Sequence, residues 1–166
     1  MTVSQLMTGL TPDAEFEGFA TADDMVLAVD FSGVAETPAS YIVAQEGITE
    51  QSGALSPESK DSTYIRTGKS STKTSTARTF TISGDRYMGD AFQDALLAHA
   101  LKYGTGQTVI KPYVYFNRLT GKGEQGKVSV AIEDDLSGAA GENASFSATL
   151  TAVGTPTEYT YSAPTG

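Results

Sequence analysis

Apolar and polar positions alternate along much of this chain with a period of two, in short runs separated by glycine-rich breaks. Met25 to Ser32 (MVLAVDFS) places Leu27, Val29 and Phe31 on one face, the pattern of a half-buried strand. Tyr41 to Gln45, after the breaker Pro38, predicts a second strand, and Ala77 to Ser83, containing Thr79-Phe80-Thr81-Ile82, a third. Thr108 to Asn117 sets Ile110, Val114 and Phe116 on one face, with Pro112 marking an edge or a bulge. Lys127 to Glu133 alternates Val128, Val130 and Ile132 with Ser129 and Ala131, and Ser145 to Ala152 does so with Phe146, Ala148 and Leu150. The links RLTGKGEQG and DDLSGAAGEN are rich in glycine, as turns are. The Thr/Pro/Tyr-rich residues 155–166 are expected to form a C-terminal tail with one last short strand.

One segment follows a different period. In GDRYMGDAFQDALLAHALKYGTG, residues Met88, Phe92, Leu96, His99 and Tyr103 recur at spacings of three to four, with Ala95 in the same stripe. This predicts a helix over about 85–103, with Asp85 as its cap and Gly104 as a left-handed stop. A chain of 166 residues with this order of elements is expected to be a single, mainly β domain. The expected layout is a β-sandwich or partly closed barrel with one flanking helix.

Residues 46–78 lack either period. They are polar, broken by Gly47, Gly53, Pro57 and Gly68, and too long for an ordinary connection, which points to a functional or disordered segment. We read them as a long extended hairpin loop with a mobile tip. Charge adds a second feature. Residues 1–59 hold ten acidic side chains and no Lys or Arg, whereas residues 60–86 carry six of the chain's eleven basic residues against Asp61 and Asp85. An acidic body with one basic arm suits self-association, the arm of one copy meeting the body of the next. A net charge of −9 is opposite to the footprint of a nucleic-acid binder.

Candidate chemistry changes this picture little. Gly68-Lys69-Ser70 matches the end of a phosphate-binding loop, but position 63 is Thr where that motif needs its first glycine, and a strand pattern follows instead of a helix. His99 lies on the apolar stripe without a nucleophile and an orienting carboxylate placed beside it, so a core histidine is expected. Glu133, Asp134 and Asp135 lack a second ligand cluster and read as a solvated turn, as do Asp23 and Asp24. Asn143-Ala144-Ser145 fits a glycosylation pattern by coincidence of three residues. The chain has no cysteine, so thiolate chemistry and disulfides are excluded. No apolar run approaches membrane-spanning length, and the N-terminus lacks a secretion signature. The expectation is a protein made in a cytoplasm, with no cofactor, no metal and no enzymatic activity.

The order of elements carries a resemblance. A strand pair with a long polar hairpin is followed by TFTISGDRYMGDAFQDALLAHALKYG, then by YVYFN, GKGEQGKVSVAIED and GENASFSATLTAVGTP. From about Met25 to the C-terminus, and most closely over Thr79 to Pro156, this resembles the major tail tube proteins of long-tailed (siphovirus-like) bacteriophages. The resemblance implies a structural virion protein assembling into stacked hexameric rings, the conduit for genome ejection. Its partners would be further copies of itself, with tape-measure, tail terminator and distal tail proteins; DNA would pass through the lumen without specific binding. It implies that Arg66, Lys69, Lys73 and Arg78 meet acidic surface on an adjacent ring, and that Ser129 and Glu133, with Glu46, face the bore. The inner tube of a contractile tail or injection system fits the same elements. A monomeric β-sandwich binding carbohydrate or a cell surface is the reading from another class; such modules expose aromatic platforms, and this chain has no Trp.

Overall fold

The computed structural model describes residues 1–163. Seven strands form one antiparallel sheet: β1 (Met25–Val29), β2 (Ile42–Val43), β3 (Ile48–Tyr64), β4 (Gly68–Asp85), β5 (Ile110–Asn117), β6 (Lys122–Ser137) and β7 (Ser145–Thr160). Their order across the sheet is β2-β1-β5-β6-β7-β4-β3. Three short helices accompany them: α1 (Val3–Leu6), α2 (Ala91–Leu96) and α3 (His99–Tyr103).

The sheet is rolled. Laid flat, β1 and β3 would stand roughly 24 Å apart, yet Gln51 Nε2 on β3 donates to the Met25 carbonyl on β1 at 3.3 Å. The inner face thereby gathers one core from distant strands: Leu27 and Val29 (β1), Phe80 and Ile82 (β4), Tyr113 (β5), Val128 and Val130 (β6), and Phe146, Ala148 and Leu150 (β7). Phe92, Leu96 and Leu97 close this core. Of the two layouts the sequence leaves open, the observed one is the partly closed barrel. Between β1–β2 and β3 the roll stays open, leaving a groove of about 440 Å³.

The central strands β1 and β5 are covered on both faces. Val26, Ala28, Val114 and Phe116 form a second core with Val3, Met7, Tyr41 and Val43, packed also against Tyr159 and Tyr161. The N-terminal residues, where no element was predicted, thus supply an apolar lid. Pro112 lies in an interior strand rather than at an edge. Its carbonyl accepts from Asp30 N at 2.9 Å, just past the end of β1 at Val29↔Tyr113. Its nitrogen points the same way, toward Asp30, so the pair lacks its reciprocal bond, at the end of β1 where the ladder has no further rung to lose.

Six expectations are corrected. The single helix is two short ones, broken at Leu97 and Ala98. Asp90, not Asp85, caps the first by accepting from Gln93 N at 2.9 Å. The stripe fails at both ends: Met88, His99 and Tyr103 are exposed, and His99 stacks on Tyr103 with ring centroids 4.9 Å apart rather than entering the core. Gly104 has φ −68 and is no left-handed stop; a Cβ there would collide with the Ala100 carbonyl. The segment 46–78 is not an unpaired loop, because β3 and β4 pair from Ile48↔Gly84 to Tyr64↔Gly68, with register shifts between Ile48 and Glu50 and between Glu58 and Ser59. The tail does not separate at Gly154, since β7 continues to Thr160 on β6; of residues 155–166, the last three lie outside the described residues.

Candidate functional site

The hairpin of β3 and β4 is the part of the molecule that its own chain leaves unexplained. Its root is tightly specified. Gly47 (φ +72) passes so close to Gly84 that a Cβ on Gly84 would strike the Gly47 carbonyl, and one on Gly47 would lie 2.8 Å from Gln93 Nε2. Asp85 N donates to the Gly47 carbonyl at 2.8 Å. Gln93, fully buried on α2, reads both strands at once: its Nε2 donates to the carbonyls of Glu46 (2.7 Å) and Asp85 (3.0 Å). Its Oε1 accepts from Tyr87 N (2.9 Å) and Arg86 Nη1 (3.2 Å). A buried amide with all its bonds made fixes geometry as few apolar contacts could.

Arg78 braces the point where the hairpin leaves the body. Its Nε donates to Glu124 Oε1 at 2.8 Å, with side-chain exposures of 10% and 27%. Its guanidinium lies 4.7 Å from the Phe80 ring and 4.9 Å from the Tyr115 ring, within cation–π range. Tyr113 Oη donates to the same Glu124 oxygen at 3.1 Å; burial, with the Glu124 charge second, pushes the Tyr113 phenol well above its usual value. The structure therefore separates Arg78 from the basic arm to which the sequence assigns it.

Beyond the Leu55↔Arg78 pair, the hairpin has no third strand, for β7 pairs β4 only from Thr79 to Asp85. Ser56–Tyr64 and Gly68–Ala77 form a bare two-stranded ribbon about 30 Å long. None of its side chains is buried. Lys69 bonds Asp61 at 2.9 Å across the strands, which holds the Asp61 carboxyl below its usual range. Lys60, Arg66 and Lys73 make no ion pair among the described residues. The three-residue turn exposes Ile65 completely, and Tyr64 beside it is largely exposed. Of the four residues assigned to the arm, Arg66, Lys69 and Lys73 share the ribbon and its tip.

A second feature lies on the outer face of the roll. Register aligns Ser129, Ala131 and Asp134 on β6 with Thr151, Thr149 and Ser147 on β7, while Glu133 falls in the bulge between Ile132 and Asp134. Thr79, Thr81 and Ser83 on β4 continue that row, and Glu50, Ser52 and Ala54 on β3 complete it. Thr149 Oγ1 donates to Glu133 Oε1 at 2.7 Å. Four strands wide, this pavement is hydroxyl-bearing, with Glu50, Asp134 and the bulge residue Glu133 as its negative charges. Lys127, paired with Val153, marks one rim. Ser129 and Glu133 are thus brought together. Glu46 is exposed but sits in the link before β3, where its carbonyl serves the Gln93 clamp.

The remaining candidates separate. Asp135 bonds Lys102 at 2.7 Å, Glu133 bonds Thr149, and Asp134 accepts from Ser147 Oγ at 3.4 Å, so the acidic turn does not converge. Asp24 pairs with Arg118 at 3.0 Å and caps the turn through the Thr21 amide, which holds its carboxyl down. Sequence reasoning missed Gln93 and Glu124, because a polar residue next to an apolar stripe looks solvated. It also passed over Tyr64-Ile65, although an apolar pair inside a polar run was a visible signal.

No protein-family model matches this chain. No curated protein matches it in sequence. Among solved structures it is similar to a chain in the tail of an empty GTA particle determined by helical refinement with C6 symmetry. That match has a TM-score of 0.64 at 14% identity and covers 86% of this chain and 100% of that one. It is also similar to a chain in the virion of a native gene transfer agent particle, with a TM-score of 0.63 at 12% identity, covering 84% and 98%. At these identities the likeness is one of fold: a mainly β, antiparallel fold with few helices is shared with chains of those particles.

Proposed function

We propose that this chain is the repeating subunit of a phage-type tail tube. Six copies form a ring, rings stack into the tube, and DNA travels through the bore. The observation that carries the reading is the ribbon: a hairpin none of whose residues is buried by its own chain, with only the Thr76 hydroxyl shut from solvent, on a fold similar over 86% of this chain to that of a chain in a tail. A two-stranded hairpin alone is marginal in water, so contacts from other copies are the natural source of its partner surface. Arg66, Lys69 and Lys73 meet the acidic surface of an adjacent ring, while Arg78 supports the ribbon from below.

The hydroxyl pavement is the bore. A basic lining would hold the duplex through its phosphates; a face of Ser and Thr with Ser129 and Glu133 lets it slide. Glu46, on the link before β3, lies near that face's margin in sequence rather than within its register. The same assembly serves a contractile tail's inner tube, in which a sheath surrounds it.

The test is assembly. Concentrated protein examined by negative-stain microscopy should show rings or tubes, and a persistent monomer overturns the reading. Replacing Ser56–Ala77 with a two-residue Asn-Gly turn, which suits a hairpin closed at Leu55↔Arg78, should keep the fold and abolish tubes. Ser129→Lys with Thr149→Lys should leave tubes intact while slowing passage of DNA; an unchanged rate would remove the bore assignment.

A further inference from the structure

We infer that the tip of the ribbon, Tyr64-Ile65-Arg66, docks in the groove between β1–β2 and β3 of another copy of this chain. The inference rests on the tube reading and names the site within it.

The tip carries a side chain with no role at home. Ile65 is fully exposed at the turn and Tyr64 mostly so, whereas the rest of the ribbon is largely Ser, Thr, Gly and Lys. An exposed apolar pair at the tip of an otherwise polar projection is a candidate contact surface. The groove offers complementary chemistry. Val26, Val43, Met25 and Ile48 line it, and Asp23 and Glu50 stand exposed on its lining. Its volume of about 440 Å³ admits a turn rather than a single side chain. The Gln51–Met25 bond crosses between the two walls. Arg118, the one basic side chain in the lining, is engaged by Asp24. Arg66 has no ion-pair partner among the described residues, and Asp23 and Glu50 likewise make none. Seated in the groove, Ile65 would meet the apolar wall and Arg66 the two carboxylates.

A ribbon tip that touches nothing in its own chain reaches a groove only on another copy. Tip and groove are different surfaces, so the contact is heterologous, and between copies of successive rings, where no rotation closes it, it propagates. That is the property a growing stack requires, and a contact between like patches would stop at a pair.

Because the chain has no native cysteine, single cysteines report the contact cleanly. Tubes grown from a mixture of Ile65→Cys chains with Ala22→Cys or Thr49→Cys chains should yield disulfide-linked pairs of unlike chains on mild oxidation. A mixture with Ala139→Cys, on the exposed β6–β7 link, should not. Ile65→Asp should raise the concentration needed for tube growth by about ten- to a hundred-fold, the scale of losing one buried aliphatic contact. Its circular dichroism and melting should stay unchanged, since the residue touches nothing in the monomer. Arg66→Glu should impair growth, and Asp23→Lys with Glu50→Lys should restore it. Tubes that form without groove cross-links, or whose tip cross-links only to Ala139→Cys, overturn the docking site and leave the tube reading standing. Failure of the unaltered chain to assemble at any concentration overturns both.

Discussion

From Ile48 to Leu55 and from Arg78 to Asp85, strands β3 and β4 belong to a sheet whose inner face holds Phe80 and Ile82 at zero exposure. From Ser56 to Ala77 the same two strands continue, with the same antiparallel ladder, and bury no side chain at all. The β3–β4 ladder is common to both regions; burial and the flanking strand β7 are confined to the body. The contrast shows that ladder bonds alone define the ribbon's shape, while the free energy of folding resides in the rolled body. The ribbon is held in place from its root.

The largest effect that tests this contrast is in the core. Phe80→Ala should lower unfolding free energy by about 3–5 kcal/mol in urea denaturation, whereas Leu55→Ala, at the point of exit, should stay within about 0.5 kcal/mol. Similar losses at the two positions would erase the distinction. Next comes the clamp: Gln93→Leu strands the carbonyls of Glu46 and Asp85 and should cost roughly 2–4 kcal/mol. Hydrogen exchange should quicken at the Asp85 amide before it does in β5. Arg78→Met leaves Glu124 half-buried and unpaired and should cost about 2 kcal/mol, less than a fully buried pair would. Amide relaxation should report a looser ribbon with an intact body.

Acid should distinguish the regions more gently. Burial pushes the Asp30 carboxyl up, but the Ser32 hydroxyl, the Glu36 amide, the Ser40 hydroxyl and the Gly33 amide outweigh it and hold it below its usual value. The folded chain thus binds this proton less readily than the unfolded one. The resulting stabilisation is present above the unfolded value of 3.8 and is lost as pH falls through the lower folded value. Asp30→Asn should flatten the acid slope of stability below about pH 4. Asp61 is also lowered, by Lys69, but both side chains are well exposed and solvent screens them. Asp61→Asn should leave that slope unaltered, as measured by melting between pH 3 and pH 6.

Strands of the body were legible because one face is apolar: Phe80, Ile82, Val128, Val130, Phe146 and Leu150 advertise their period, and all are buried. The ribbon was illegible as strand for the matching reason. With both faces wet, Ser59, Ser70 and Thr72 carry no periodic signal, and its pairing is evident only from the ladder. The helix was overextended because Met88 and Tyr103 keep the spacing of a stripe without a surface to meet. Both-sided burial of β1 was hidden, since Val26 and Ala28 acquire their cover from Val3, Met7 and Tyr41, far away along the chain. In the candidate site, the basic arm could be located by charge. Removal of Arg78 from it could not, because Glu124 lies 46 positions away.

Strand β4 runs without interruption from the tip to the body and shares seven rungs with β7, Thr79↔Thr151 through Asp85↔Ser145. A pull along the ribbon's axis therefore loads those rungs together in shear, since ladder bonds lie across the strands. A sideways tug would instead unzip them singly from Thr79. The molecule is built to withstand tension along one line.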